Sequence, residues 1–253
     1  MFDVILDEAG KIARKPRRLL EAFRPRRWRQ FFSILAFHAR AGNRWQTSAD
    51  KSQFKRRAYA SYEQYLRHQQ SKLPYLDLAD YDVKYRRQLG GRLQTLPGLK
   101  RGANVLCLGA RQGTEVKAFH DAGCFAVGLD LNPGAENKFV LHGDFHDVQF
   151  PAESVDVIFT NSFDHVFDAE KLLAEIRRLL KPEGLLIIEA IAGEAQASAP
   201  DHYASFWWQN INDLGALLGE HGFSVGHRVA FAEPWPGEQL CLRKQMDWVP
   251  KNT

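Results

Sequence analysis

Cysteine is scarce in this chain: three in 253 residues, at positions 107, 124 and 241. So small and odd a set excludes a disulfide-stapled scaffold, and its spacing matches no metal-binding pattern; reduced, buried thiols of a cytosolic protein are expected, and no metal site. Long apolar runs are missing too. The longest near the start, Phe31 to Phe37, is too short to cross a bilayer, and it follows a basic cluster instead of preceding a small-residue cleavage site. There are no internal repeats and no low-complexity stretches. With 45% apolar and 25% charged residues the proportions are those of a globular protein, long enough for one large domain or one domain with an extension.

The charge is unevenly spread. Residues 1–101 hold 23 Lys and Arg against 9 Asp and Glu, and the rest of the chain holds 11 against 21. The first part is therefore built to meet something acidic, whether the other domain, a phosphate-bearing surface or a nucleic acid. Between Arg14 and Arg40, Trp28, Phe31, Phe32, Ile34, Leu35 and Phe37 stand among arginines. Two readings fit: a helix that lies on an anionic membrane surface, or one that packs its aromatics on the body and solvates its arginines.

Residues 1–100 read as helical, with no strand signal. One helix, capped by Ser48, runs through AYASYEQYLRHQQSKL and stops before Pro74; a second spans about Asp82 to Leu96 and ends at Pro97-Gly98, although Gly90 and Gly91 weaken it. From Ala103 apolar runs of strand length alternate with helical patterns: NVLCLGA, CFAVGLDL, KFVLHG, SVDVIFTN and LLIIEAIAG read as strands, and DAEKLLAEIRRLL as a helix capped by Asp168. Strands apolar on both faces and separated by helices indicate an α/β fold with a parallel sheet covered on both sides. A helix around Asn210 to Glu220 and an antiparallel hairpin of FSVGHRVAFAE and QLCLRKQM complete it. The expected division is a basic helical extension or lid over 1–100 and a cofactor-binding domain over 101–253.

The first α/β unit carries the chemistry. A strand runs into Gly109-Ala110-Arg111-Gln112-Gly113 and then a helix, and a second strand ends in Asp130, 21 positions after Gly109. Glycines let backbone approach a ligand at a helix N-terminus, and a carboxylate at the next strand end accepts bonds from ribose hydroxyls, so the pattern suits an adenosine-type cofactor.

Here the chain resembles the class I S-adenosylmethionine-dependent methyltransferases, in the variety with a type-11 methyltransferase domain. VLCLGARQGTE resembles the family's glycine-rich motif, GLDLNP the second, and HGDFHDVQFPAESVDVIF the third with its strand; TNSFDHVFDAEKLLAEIRRLLKPEGLLIIE resembles the block that follows, down to the Leu-Lys-Pro-x-Gly turn at 180–184. The resemblance implies a doubly wound, mostly parallel, seven-stranded Rossmann-like sheet and S-adenosyl-L-methionine as cofactor. It implies cofactor contacts from Gly109, Ala110, Arg111 and Gly113, from Asp130 and Leu131 at the ribose, from Asp144 and Phe145 at the adenine, and from Asn161 and Ser162. Two positions depart from it: Cys107 stands where the family carries the acid that helps hold the methionine amino group, and Arg111 replaces the second glycine. Glu115 or Asp164 can supply the acceptor, and Arg111 either turns outward or reaches the cofactor carboxylate. A dehydrogenase is the competing reading of the turn, but its fingerprint needs a third glycine that is absent.

For transfer, the loop Asn161-Ser162-Phe163-Asp164-His165 faces the substrate by the crevice rule for open sheets. His165 is the first candidate base and Asp164 the second; the plainer role for His165 is packing in the loop. Tyr59, Tyr62 and Tyr65, with His68-Gln69, read as a lid or as core, and His202, Tyr203, Trp207 and Trp208 as acceptor contacts. An Asn-Pro-Pro-Tyr motif for amide or amino nitrogens is absent. O-methylation of a small molecule or glycan intermediate is the expected activity, in the cytoplasm or peripheral to a membrane; RNA methylation and a catalytically inactive module on an anionic surface are the alternatives.

Overall fold

The computed structural model describes residues 25, 28, 29, 32, 45–47, 52–73 and 79–249. Most of the arginine-rich segment 14–40 and the cap at Ser48 lie outside the described residues. Within that segment Trp28 and Phe32 are helical, lie 6.1 Å apart and are more than half exposed.

The N-terminal part is not purely helical, contrary to the expectation from its sequence. Two short strands, β1 (Trp45–Thr47) and β2 (Phe54–Arg57), pair antiparallel. Helix α1 (Tyr62–Gln70) starts well after the expected cap at Ser48, because β2 occupies Phe54–Arg57 and Ser61 caps the helix by accepting the Gln64 N–H. Helix α2 (Ala79–Gln94) runs through Gly90 and Gly91. It is held by one buried face, Tyr85, Leu89 and Leu93, which offsets the low helix propensity of the glycines.

The α/β alternation after residue 103 produces β3 (Asn104–Leu108), α3 (Thr114–Asp121), β4 (Phe125–Asp130), β5 (Val140–His142), β6 (Val155–Thr160), α4 (Ala169–Leu179), β7 (Leu180–Ile191), β8 (Phe206–Trp208), α5 (Ile211–Glu220), β9 (Phe223–Phe231) and β10 (Gly237–Lys244). Seven of these strands form one sheet in the order β5-β4-β3-β6-β7-β10-β9. The first five are parallel, and β10 runs antiparallel between β7 and β9. Asp168 caps α4 as its sequence suggests, accepting from the N–H groups of Glu170 and Lys171. One buried cluster packs α4 and α5 on one face of the sheet; the other packs α2 and α3 on the opposite face. No helix among the described residues is long and apolar enough to cross a membrane.

Strand β3 lies between β4 and β6, so the strand order reverses there while the strands stay parallel, and a crevice opens beyond their carboxyl ends. Register aligns those ends: Leu108 pairs with both Leu129 and Thr160, and Thr160 with Ile188. Gly109, Asp130, Asn161 and Glu189 therefore stand along one edge. The second, three-stranded sheet, β1-β2-β8, borders the crevice through Trp208 of β8. Phe54 stacks on Phe206 at 5.3 Å, and Arg57 donates to the carbonyls of Ala204 and His202, so β2 fixes the segment that leads into β8.

Candidate cofactor cleft and acceptor site

The glycine-rich turn needs its glycines where backbone crowds side chains. Gly109 has φ +72, and a Cβ there would stand 2.7 Å from the Ser162 side chain; Gly113 has φ +81, with Phe139 Cβ at 2.8 Å. Arg111 also takes a positive φ, +40, without being glycine. Its backbone is pinned: the N–H donates to Asp130 Oδ2 (2.9 Å) and the carbonyl accepts from Asn137 Nδ2 (2.9 Å). Asp130 accepts again through Oδ1 from the Asn132 N–H (2.7 Å), which sets its carboxylate at the mouth of the turn.

The turn borders two connected spaces. The larger, about 450 Å³, is lined by Gly109, Ala110, Arg111, Glu115, Asn161 and Ser162 on one side and by Asp164, His165, Asp201, Tyr203 and Trp208 on the other. The smaller, about 40 Å³, is lined by Asp130, Leu131, Phe145, Tyr65 and Gln69. Arg111, Lys72 and His165 border both. Arg111 Nε is buried and makes no hydrogen bond among the described residues. Lys72 donates to Gln69 Oε1 (3.0 Å); burial, then the Arg111 guanidinium, push its ammonium down to about 8.

Beyond the smaller space lies Asp144. Burial alone would raise its carboxyl, yet bonds from the His146 ring and backbone and from the Tyr62 hydroxyl (2.5 Å) hold it down at about 2. Tyr62 and Tyr65 of α1 therefore stand over the end of the cleft where Asp144 and Phe145 lie, with Tyr65 donating to the His165 carbonyl (3.0 Å).

On the opposite side, a short 3-10 turn, Phe163–His165, carries the candidate base. The Tyr203 carbonyl accepts from His165 Nδ1 at 3.1 Å, which fixes the tautomer with Nε2 unprotonated, 3.8 Å from Asp164 Oδ2. Burial lowers the His165 pKa against the pull of Asp164, and raises that of Asp164. Among the described residues no cluster of His, Cys, Asp and Glu is arranged to hold a metal.

Not every residue named from sequence borders the cleft. Trp207 is buried in β8 and stacked on Trp208 at 5.4 Å; it is Trp208 that reaches the cleft. The Tyr59 hydroxyl is engaged by His68 Nδ1 (2.8 Å) and Ser205 Oγ (2.7 Å), and the His202 ring packs edge-on against His68. Residues the sequence reading missed include Lys72, Tyr81, Asp201 and Glu189. Only Glu189 left a signal, a carboxylate inside the apolar run LLIIEAIAG. Arg92 (2.6 and 2.9 Å), Tyr85 (2.6 Å) and Gln239 (2.8 Å) converge on it.

Residues 106–188 match the model of a methyltransferase domain. Among characterised proteins, the chain is 27% identical over 135 residues to malonyl-[acyl-carrier protein] O-methyltransferase 1 of Coxiella burnetii, covering 48% of each. It is 26% identical over 188 residues to the thiol S-methyltransferase TMT1B of Rattus norvegicus, covering 65% of this chain and 70% of that one. The match thus spans about half the length of the Coxiella protein. In three dimensions it resembles the Burkholderia thailandensis 1,6-didemethyltoxoflavin-N1-methyltransferase bound to its substrate and S-adenosylhomocysteine, with a TM-score of 0.59 and 18% identity over 79% of this chain and 99% of that one. The strand order, the glycine turn facing Asp130 and the matched model agree: residues 106–188 carry a methyltransferase domain on a Rossmann-like fold.

Proposed function

We propose that the chain is an O-methyltransferase that takes its methyl group from S-adenosylmethionine and delivers it to a small hydroxyl-bearing molecule. The observation that carries this reading is the His165–Tyr203 bond, which leaves the Nε2 lone pair beside the larger space. A hydroxyl is a poor nucleophile until it loses its proton, so O-methylation benefits from such a base where methylation of a free amine does not.

The residues present fit the cofactor. Glycine-lined backbone at Gly109 and a buried Arg111 Nε without a partner suit a methionine carboxylate, and Asp130 suits the ribose. Tyr62 and Tyr65 of α1 stand over Asp144 and Phe145, and Tyr65 lines the smaller space beside Phe145, so the helix acts as a lid over the adenine end. Bound there, S-adenosylmethionine supplies a methyl group on a positively charged sulfur. The chain would then align the acceptor, exclude water with the α1 lid, and take the acceptor proton onto His165 Nε2 as the methyl carbon passes to the acceptor oxygen and its bond to sulfur breaks, leaving S-adenosylhomocysteine. Asp164 favours the imidazolium so formed.

The curated relatives methylate an acyl-carrier-bound acid and a thiol by name, and a thiol would use the same base. The exposed Trp28–Phe32 pair among arginines supports contact with an anionic membrane surface by a cytoplasmic protein.

Methyl transfer from labelled S-adenosylmethionine to a panel of phenols, hydroxy acids and thiols tests the reading. His165→Gln should lower kcat by 10²–10⁴ while leaving S-adenosylhomocysteine binding intact. Because burial holds the imidazole below its ordinary 6.5, Nε2 stays neutral down through that pH, so with S-adenosylmethionine saturating at every pH the acid limb of kcat/KM for the acceptor should fall below 6.5 and vanish in the variant. Full turnover by His165→Gln would remove the base.

A further inference from the structure

Position 107 raises a question that the fold alone leaves open. Cys107 is fully buried in β3, and burial pushes its thiol far up, so it offers no negative charge to a methionine ammonium. Besides Asp201, which the Tyr203 and Ala204 N–H groups hold on the acceptor side, three carboxylates border the larger space: Glu115, Asp164 and Glu189. Glu189 is consumed by the bidentate Arg92. Asp164 lies on the acceptor side beside His165.

Glu115 differs from both. It sits in the first turn of α3, is 5% exposed, borders the cleft, and forms no ion pair among the described residues. Its Oε1 accepts from Asn161 Nδ2 (2.9 Å), and Asn161 is steadied by the Tyr81 (3.3 Å) and Tyr85 (3.0 Å) hydroxyls. A buried carboxylate with a polar brace and no ion pair among the described residues can take up a cation.

We propose that Glu115, braced by Asn161, holds the ammonium of the cofactor's methionine moiety in place of an acid at position 107, and releases a proton to solvent as the cofactor binds. The inference rests on the cofactor assignment above. Around Glu115, the Asn161 bond and Arg111 in the turn favour the anion, while Glu189 from β7 disfavours it; Tyr81 and Tyr85 from α2 and Cys107 from β3 stay neutral. Burial is the dominant influence and raises the Glu115 carboxyl to about 7. Below that pH the empty site is a neutral acid, and a bound cation must expel its proton.

Calorimetry on the full chain tests this with two probes, S-adenosylhomocysteine and 5′-methylthioadenosine, which lacks the ammonium and carboxylate. Below pH 7 an α-amino group is already protonated, so any pH dependence there belongs to the protein. The affinity for S-adenosylhomocysteine should fall about tenfold per pH unit below 7, with about 0.9 proton released at pH 6, counted by comparing buffers of different ionisation enthalpy. Methylthioadenosine should show neither effect. Glu115→Gln should abolish the slope and the proton release, weaken S-adenosylhomocysteine at least tenfold at pH 7.5, and leave methylthioadenosine unchanged. Equal affinity in wild type and Glu115→Gln, or a flat wild-type profile with methylthioadenosine still bound, would overturn the proposal and spare the cofactor site. Failure of both probes to bind wild type would overturn the cofactor assignment and the proposal with it.

Discussion

Arg111 shows how a residue can break a motif and keep its shape. A side chain at φ +40 costs on the order of 1 kcal/mol relative to glycine, and the bonds from its N–H to Asp130 and from Asn137 to its carbonyl hold it there. The turn survives the substitution, and the guanidinium is delivered into the cleft. Arg92 works differently. It neutralises Glu189, whose side chain is fully buried, with two short bonds, and its guanidinium also covers the Phe231 ring at 4.4 Å. Arg92→Ala would leave that carboxylate without its charge partner, so a loss of about 3–5 kcal/mol in chemical denaturation is expected; Arg92→Lys, keeping charge but not the fork, should lose less. A loss below about 1 kcal/mol for Arg92→Ala would mean that Tyr85 and Gln239 satisfy Glu189 unaided.

At the scale of elements, the parallel sheet was legible because apolar runs such as NVLCLGA and LLIIEAIAG leave no solvent-facing side, and Asp168 and Gly109 mark where helix and turn must begin. The strands β1, β2 and β8 were not legible. Each has three or four residues and exists only because its partner supplies the hydrogen bonds, a tertiary effect that no local pattern encodes. The same limit hid the candidate site: Lys72 and Asp201 reach the cleft from segments far apart in sequence, while Trp207 and Trp208 differ because successive strand residues point opposite ways. On the proposed reading, helix α1 is the lid on which access depends, and the Tyr62–Asp144 bond, charge-assisted and worth about 1.5–3 kcal/mol, holds it over the adenine end. Tyr62→Phe should therefore speed S-adenosylhomocysteine association severalfold in stopped-flow fluorescence, with little change in stability. Slower or weaker binding by the variant would show instead that the hydroxyl serves the bound state.

For the whole molecule, the uneven charge resolves into contacts across the two halves: Lys55 with Glu194, Arg56 with Glu170, Arg86 with Asp121 and Arg92 with Glu189. The first three are solvent-exposed to a degree that makes each worth no more than about 1 kcal/mol, so they orient the halves more than they stabilise them. Arg57 makes the tighter link. Pairing of β2 with β8 brings its guanidinium to the Ala204 (2.8 Å) and His202 (3.0 Å) carbonyls, and its own N–H to the Ser205 carbonyl (2.8 Å). The segment so held presents Asp201 and Tyr203 to the cleft, and Ser205 bonds back to Tyr59 and Gln69 at the ends of the lid. Helix α1 and the 201–206 segment are thus one hydrogen-bonded unit, and on the proposed reading they should respond to the cofactor together. Hydrogen exchange should show S-adenosylhomocysteine protecting residues 59–72 and 201–206 in the same step. Arg57→Ala, losing two bonds of about 1.5–3 kcal/mol each, should leave protection of the lid in place while residues 201–206 exchange as they do in the free protein. If both segments remain protected in that variant, the coupling runs through Ser205 and its partners, and Arg57 serves the small sheet alone.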